Sequence, residues 1–223
     1  MDNAQSIVGF SKDREENDFY PTPSETTLAL MNREKFEGNI WECACGDGSM
    51  SKVLERFNTT ISTEFREDTE VYGKKGIDFM KTYKKVDNII TNPPYKYAEE
   101  FVKHALICAD KKVAMLLKLV FLESISRYDL FKSSPLKTIY VFCRRQKIYK
   151  KGIIGKNAGL IAYAWFVWEK GYTGKPTIEW IKDVEIQENL IDKKEVEARC
   201  DVERNDDGIP SKTKVLGILP NEL

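Results

Sequence analysis

Histidine is almost absent from this chain of 223 residues, which has a single one, His104. Protein zinc sites draw on histidine or on two pairs of cysteines. Here Cys43-Ala44-Cys45 is a C-x-C without a second pair, so we expect no metal centre. A histidine-based triad is equally hard to build, and we expect His104 on a helix surface. The five cysteines lack the spacing of a disulfide framework, which predicts reduced thiols.

An excess of charge of one sign is also missing. The chain has 35 basic and 35 acidic side chains, so affinity for a nucleic acid has to come from a local patch. No apolar run reaches the ~18 residues of a membrane span, and residues 1–5 lack the basic-then-apolar layout of a signal peptide. These absences predict a cytoplasmic protein without a membrane partner. Its length and its 42% hydrophobic residues predict one α/β domain with a well-buried core.

The central feature of the sequence is residues 87–95, where an apolar run ends in an asparagine, two prolines and an aromatic residue. Ile89-Ile90-Thr91 is typical of a buried parallel strand. The two prolines cannot donate to a strand ladder, so they end the strand in a stiff turn. That turn is expected to hold the Asn92 amide and the Tyr95 ring at the carboxyl edge of the sheet, where open α/β sheets bind ligands.

A second signal is the glycine-rich turn between a short strand and a helix, at residues 42–48. It is neither the G-x-G-x-x-G of dinucleotide enzymes nor a P-loop. Glycine is needed where the backbone turns sharply and approaches a ligand closely. The next strand, predicted over 59–64, ends in Glu64, a carboxylate suited to binding ribose hydroxyls; an ordinary exposed strand-end acid is the alternative.

Asn92-Pro93-Pro94-Tyr95 resembles the (D/N/S)PP(Y/F/W) motif of class I S-adenosylmethionine-dependent methyltransferases that methylate amino or amide nitrogens, among them the DNA adenine-N6 methyltransferases. The resemblance implies a Rossmann-like α/β fold: a seven-stranded, mostly parallel sheet with its last strand antiparallel and helices on both faces. It implies S-adenosylmethionine as the cofactor. It also implies that Asn92, Pro93, Pro94 and Tyr95 are catalytic, with the Asn92 oxygen and the Pro93 carbonyl accepting from the target amine and Tyr95 stacking on the base.

The resemblance extends to segments that would hold the cofactor. Tyr20-x-Thr22-Pro23 is similar to the motif that lies across the methionine end of the cofactor, although the residues alone indicate only a helix entry turn. Residues 42–48 resemble the E/D-x-x-x-G-x-G motif, so the glycines would pass under the cofactor. Glu42 would orient that loop or meet the methionine ammonium group.

Three further residues are assigned by the same resemblance to the adenine of the cofactor. Phe65 would lie against the ring, and in Asp78-Phe79 the carboxylate would accept from its amino group while the phenyl walls the ring. A helix N-cap is the competing role for Asp78. The candidate cofactor-binding residues are therefore Tyr20, Thr22, Pro23, Glu42, Cys43, Ala44, Gly46, Gly48, Glu64, Phe65, Asp78, Phe79 and Asn92.

Residues 144–157 are the largest patch of one charge sign, with six basic residues and no acidic one. Such a run is usually a solvated loop, but at the cleft edge it would grip phosphates. The candidate nucleic-acid-binding residues are Arg144, Arg145, Lys147, Tyr149, Lys150 and Lys151. By resemblance Tyr149 would stack on an extruded base, with Phe142 as the alternative.

The polar, charged residues 1–17 predict a flexible arm, and residues 171–223 predict a partly flexible extension. The motifs that carry the resemblance span 18–170, which implies a catalytic domain there. Further strands are predicted over 112–122, which is continuously apolar and therefore central, and over 137–143 and 159–169. Residues 176–181 suggest an edge strand or a docking segment. There is no obvious second domain, which departs from typical sequence-specific DNA methyltransferases.

Three functions fit these features. The first is a DNA adenine-N6 methyltransferase of restriction-modification or phage type, acting on a base flipped out of the duplex. The second is an RNA or protein-glutamine methyltransferase, since both also use Asn-Pro-Pro-Tyr. The third is a non-catalytic binding module with the same fold, against which the intact motif residues argue.

Overall fold

The computed structural model describes residues 21–67, 70–146, 148 and 161–182. The predicted arm (1–17) lies outside these residues, as do Tyr20, most of the basic segment and most of the extension. The described part forms one sheet with helices on both faces. Its strands are β1 (Ile40–Glu42), β2 (Thr60–Ser62), β3 (Val86–Thr91), β4 (Ala109–Lys118), β5 (Leu136–Phe142), β6 (Tyr163–Glu169) and β7 (Thr177–Ile181). Its α-helices are α1 (Ser24–Met31), α2 (Ser51–Leu54), α3 (Ala98–Cys108) and α4 (Tyr128–Ser133).

The strand order is β2-β1-β3-β4-β6-β5-β7. β6 is antiparallel to β4 and β5, and the other pairs are parallel. The predicted seven-stranded, mostly parallel sheet is therefore confirmed, including the antiparallel strand near 159–169. That strand is sixth in the chain, however, because β7 follows it as the edge strand beside β5.

Between β2 and β3 the described residues form no further strand of the sheet. Lys74 makes an isolated bridge to Thr63, and its N–H donates to the Ser62 carbonyl at 3.0 Å. The segment runs alongside β2 without continuing as a ladder. Polar and glycine residues around it, 73–76, explain why it lies against the sheet as a loop.

Alternation along β4 shows how the sheet carries a core on each face. Val113, Met115 and Leu117 belong to one buried cluster, which α3 covers through Phe101 and Val102. The intervening β4 residues belong to the second cluster, with α1 and α2 on the opposite face. A strand buried on both faces reads as a continuous apolar run, as predicted for this central strand.

His104 corrects one expectation. It lies on α3 as expected, but it is 5% exposed and its Nε2 lies 3.0 Å from the Thr82 carbonyl. The ring also packs edge-on against Phe79 at 4.8 Å. His104 is therefore a buried residue that packs under the 3₁₀ turn Phe79–Lys81. No helix of the described residues combines the length and apolar character needed to cross a bilayer.

Candidate active site

A cleft lies at the carboxyl edge of the three parallel strands β1, β2 and β3, where each strand runs into a polar loop. The strands align the loops, because β1 pairs in parallel with both β2 and β3. The segment before α1 closes one side of the cleft. Its lining residues are Pro21, Thr22, Glu42, Ala44, Cys45, Asp47, Ser49, Met50, Glu64, Arg66, Asn92, Pro94 and Tyr95.

Glycine is required in the loop after β1 for a local reason. Gly46 and Gly48 have φ of 52° and 78°, the left-handed region that other residues seldom adopt. At Gly48 a Cβ atom would also lie 2.2 Å from Cγ of Tyr72. Glycine at position 48 therefore serves two purposes. It permits the tight turn that the sequence predicted, and it leaves space for the Tyr72 ring to pack against the loop.

Glu42 places a carboxyl group inside the protein at the end of β1. Its side chain accepts hydrogen bonds from the Ser51 hydroxyl at 2.7 Å and from the Thr91 hydroxyl at 3.3 Å. Burial is the main cause that raises the pKa of Glu42 to about 8. The group is thus largely protonated at neutral pH, and an incoming cation would favour its charged form.

Glu64 lies at the end of β2 and ties two loops together. Its carboxylate accepts from the Gly46 N–H at 2.9 Å and from Arg66 Nε at 3.2 Å. The Arg66 and Glu64 side chains form an ion pair and are 11% and 9% exposed. The strand-end acid that the sequence singled out is therefore in the cleft, already oriented by a cation and a backbone donor.

Asn92 stands at the end of β3 with one side of its amide engaged. Its Nδ2 donates to the Thr22 hydroxyl at 3.0 Å. The other atom, Oδ1, is buried, and no described residue donates a hydrogen bond to it. A buried acceptor without a donor costs about 1–3 kcal/mol. The site therefore holds an oriented carbonyl oxygen that an N–H donor would satisfy.

Tyr95 follows the two prolines, and its ring contacts two neighbouring side chains. The Lys118 ammonium is 4.6 Å from the ring centroid, and the Tyr163 ring is 5.7 Å away at 36°. Pro94 lines the cleft, whereas Pro93 is buried. The predicted stiff turn thus brings the amide and the aromatic ring to one cleft.

Several predicted residues are not brought to the cleft. Phe79 is 2% exposed and packs among Trp41, Phe101 and His104, so in this structure its ring belongs to the core. Cys43 is also a core residue, on the face opposite the neighbouring Ile40. Their cofactor-binding roles therefore stay predictions: Phe79 stands in the 3₁₀ turn Phe79–Lys81 and Cys43 directly after β1, and both contribute apolar surface to the core.

The remaining cofactor candidates have other surroundings. Asp78 accepts from the Met80 N–H at 3.0 Å and so caps the 3₁₀ turn, which was its competing role. Phe65 is 61% exposed and does not line the cleft. Pro23 is the residue before α1, while Pro21 takes the lining position. Tyr20 lies outside the described residues.

Six lining residues were not predicted: Pro21, Cys45, Asp47, Ser49, Met50 and Arg66. For two of them, Asp47 and Ser49, the sequence contained a recognisable turn pattern. Asp47 accepts from the N–H and the hydroxyl of Ser49, an Asx turn that the sequence Asp-Gly-Ser suggests. Arg66 gave no such sign, because a basic residue after a strand is ordinary on any surface.

The basic segment is described only in part. Arg144 and Arg145 are exposed just beyond β5, while Lys147, Tyr149, Lys150 and Lys151 lie outside the described residues. Phe142, the alternative base-stacking residue, is 8% exposed and packs in the core. Its role as a base-stacking residue stays a prediction.

No protein-family model matches the sequence, and no curated protein is similar to it in sequence. Solved structures resemble its fold. The methyltransferase subunit of a type I restriction-modification system from Streptococcus thermophilus has a TM-score of 0.52 at 13% identity and covers 82% of this chain. A putative class I S-adenosylmethionine-dependent methyltransferase from Listeria monocytogenes has a TM-score of 0.53 at 10% identity and covers 78% of this chain and 69% of its own.

A putative RNA methyltransferase from Pyrococcus horikoshii has a TM-score of 0.54 at 17% identity, over 71% of this chain and 90% of its own. In contrast, the chain spans about half of the Streptococcus subunit, 52%. At these identities the likeness concerns the fold. The chain has the Rossmann-like fold of the class I methyltransferases.

Proposed function

We propose that this chain is an S-adenosylmethionine-dependent methyltransferase that transfers a methyl group to the N6 amino group of adenine in DNA. The observation that carries the proposal is the buried Asn92 Oδ1, which lacks a donor among the described residues. It stands at the strand end where open α/β sheets bind ligands. An exocyclic amine supplies the N–H donor that this acceptor needs.

The cleft fits the cofactor by the chemistry of its side chains. Glu42 offers a buried carboxyl group whose pKa of about 8 leaves it ready to ionise beside an ammonium group. Glu64 offers a carboxylate that can accept two hydrogen bonds from a ribose diol. When bound, S-adenosylmethionine supplies a sulfonium methyl that is already strongly electrophilic.

Catalysis then depends on how the residues hold the target amine. An aromatic amine is a poor nucleophile because its lone pair is delocalised into the ring. Asn92 Oδ1 and the Pro93 carbonyl accept its two N–H bonds, favour a pyramidal nitrogen and stabilise the positive charge that develops on it. The Asn92–Thr22 bond occupies the nitrogen of the amide, which leaves the oxygen to accept from the amine. Tyr95 stacks on the extruded base.

The first experiment is transfer of a labelled methyl group from S-adenosylmethionine to unmethylated DNA, with total RNA and cell protein as parallel acceptors. We expect N6-methyladenine among the nucleosides of the digested DNA. Label in RNA or protein alone would contradict the assignment of DNA as the substrate but would support the assignment of S-adenosylmethionine as the cofactor. Absence of both transfer and cofactor binding would overturn the whole proposal.

The site assignment is tested by Asn92→Ala. Loss of the acceptor that Thr22 orients is expected to lower transfer by about a hundredfold to a thousandfold, while calorimetric binding of S-adenosylmethionine changes little. Asn32→Ala is the matched control, because Asn32 is exposed at the far end of α1. Near-normal turnover of Asn92→Ala would rule out the mechanism.

RNA is a second candidate substrate. What favours it is that the chain spans most of the putative RNA methyltransferase from Pyrococcus horikoshii, whereas it spans about half of the restriction-modification subunit. The exposed Arg144 and Arg145 suit the phosphates of either nucleic acid. The RNA arm of the transfer experiment separates the two substrates directly.

A further inference from the structure

The segment that leaves β4, residues 119–128, exposes an unusual amount of apolar surface. Val120 is 58% exposed, Leu122 38%, Ile125 92% and Tyr128 56%. Single exposed apolar residues are common in soluble proteins, whereas four within one short segment suggest a contact surface. We call residues 119–128 the β4 exit segment.

The β4 exit segment begins beside the candidate catalytic turn. Its preceding residue, Lys118, places its ammonium 4.6 Å from the Tyr95 ring centroid. The Leu119 N–H donates to the Ala162 carbonyl at 2.8 Å, next to Tyr163, whose ring contacts Tyr95. Because β3 and β4 are parallel, the segment and Asn92 leave the sheet at the same edge.

Hydrogen bonds hold the β4 exit segment in shape. Arg127 Nε donates to the Phe121 carbonyl at 2.8 Å and its Nη2 to the Glu123 carbonyl at 2.6 Å. The guanidinium also lies 4.7 Å from the centroid of the Phe121 ring, which is buried against Phe131 and Phe166.

The tip of the segment is capped as well. The Ser124 hydroxyl accepts from the Ser126 N–H at 3.2 Å, at the start of the 3₁₀ turn Ile125–Arg127. The Arg127 N–H closes this turn on the Ser124 carbonyl at 3.2 Å. The exposure of Ile125 is therefore a property of an ordered turn, which presents a branched aliphatic side chain to solvent at low entropic cost for a partner.

We propose that Ile125 is the apolar wedge that enters the duplex and fills the space left by the extruded target base. This inference rests on the proposed function. Extrusion costs a few kcal/mol of unstacking, and aliphatic side chains inserted at a base step recover part of that cost. The wedge has to act from the edge of the pocket that receives the base. The β4 exit segment starts at that edge, directly after Lys118, whose ammonium lies 4.6 Å from the centroid of the Tyr95 ring.

The test compares Ile125→Ala with wild type on a duplex that the wild type methylates and on the single strand of the same sequence. We expect kcat/KM on the duplex to fall about tenfold, because the base step loses its replacement contact. On the single strand, where nothing has to be unstacked, the two proteins should be equal. A duplex with a mismatch at the target adenine should restore most of the loss.

Ile107→Ala is the matched control, since Ile107 is 54% exposed on α3 beside the amino end of β4. Calorimetric binding of S-adenosylmethionine, measured for each variant, verifies the fold. Equal activity of Ile125→Ala and wild type on the duplex would overturn the wedge, as would an equal loss on both substrates. Sedimentation that shows a wild-type dimer dissociated by Ile125→Ala would overturn it too. No methylation of DNA by the wild type would instead fault the proposed function.

Discussion

Asn92 and Glu42 each put a polar group where solvent cannot reach it, and each is held by a hydroxyl. Thr22 accepts from the Asn92 amide, and Ser51 donates to the Glu42 carboxyl. Buried polar groups are costly unless they are satisfied. The Asn92 oxygen lacks a described donor, and the Glu42 carboxyl responds by a raised pKa. Under the proposed function, a ligand that brings N–H donors and a cation would lower the free energy of both groups.

Glu42 gives the first prediction at the residue scale. Its pKa is raised from 4.5 to about 8 by burial. Between these values the folded state holds a proton that the unfolded chain has released, so the free energy of unfolding falls as the pH rises from 4.5 to about 8. The stability that the proton supplies is complete below pH 4.5 and lost above about 8.

Glu42→Gln removes this titration and keeps the shape of the side chain. We expect the variant to be more stable than wild type at pH 8, by an amount on the order of a few kcal/mol, with the difference shrinking towards pH 5. Urea unfolding at several pH values measures it. An unchanged pH dependence in Glu42→Gln would show that the carboxyl group is already ionised in the folded protein.

At the scale of elements, the loop after β1 depends on what packs against it. Gly48 combines a φ of 78° with a space that Tyr72 fills, so a methyl group there meets both backbone strain and a ring. Gly171 has a similar φ of 82°, but nothing lies within 4 Å of its would-be Cβ. The chain thus contains two glycines that share the backbone conformation and differ in packing.

Gly48→Ala should therefore destabilise the fold more than Gly171→Ala. We expect about 1 kcal/mol from the backbone at both sites and roughly 1–3 kcal/mol more at Gly48 from the contact with Tyr72. Urea unfolding of both variants gives the difference. The double change of Gly48→Ala with Tyr72→Ala should recover part of the excess, and equal losses at the two glycines would refute the packing argument.

The elements also show what could be predicted from sequence. β3, β4 and the Pro93-Pro94 turn were predictable because apolar runs and prolines act locally. The core packing of Phe79 and Cys43 was not predictable, since an aromatic ring or a thiol suits a core and a cleft equally and only packing decides. The position of Arg66 in the cleft was also not predictable, because its ion pair with Glu64 forms only once the loop is folded. Tertiary contacts, which one sequence does not reveal, account for these differences.

At the scale of the whole molecule, charge is balanced, with 35 basic and 35 acidic side chains. Long-range attraction to a polyanion is therefore weak, and binding has to rest on local contacts. Arg144 and Arg145 are exposed just beyond the carboxyl end of β5. Lys35 and Lys85 are also exposed and form ion pairs with Glu37 and Asp110.

The arginine pair and the lysine pair allow a comparison of two double variants that lose the same charge. If Arg144 and Arg145 each contact a phosphate, changing both to alanine should weaken DNA binding and reduce the slope of log affinity against log salt by about 1.8. Changing Lys35 and Lys85 to alanine alters the net charge equally and should leave that slope nearly unchanged. Fluorescence anisotropy with labelled duplex at several salt concentrations measures both. Equal slopes for the two double variants would mean that the overall charge, and not this patch, governs binding, and would remove the basic segment from the DNA-binding surface.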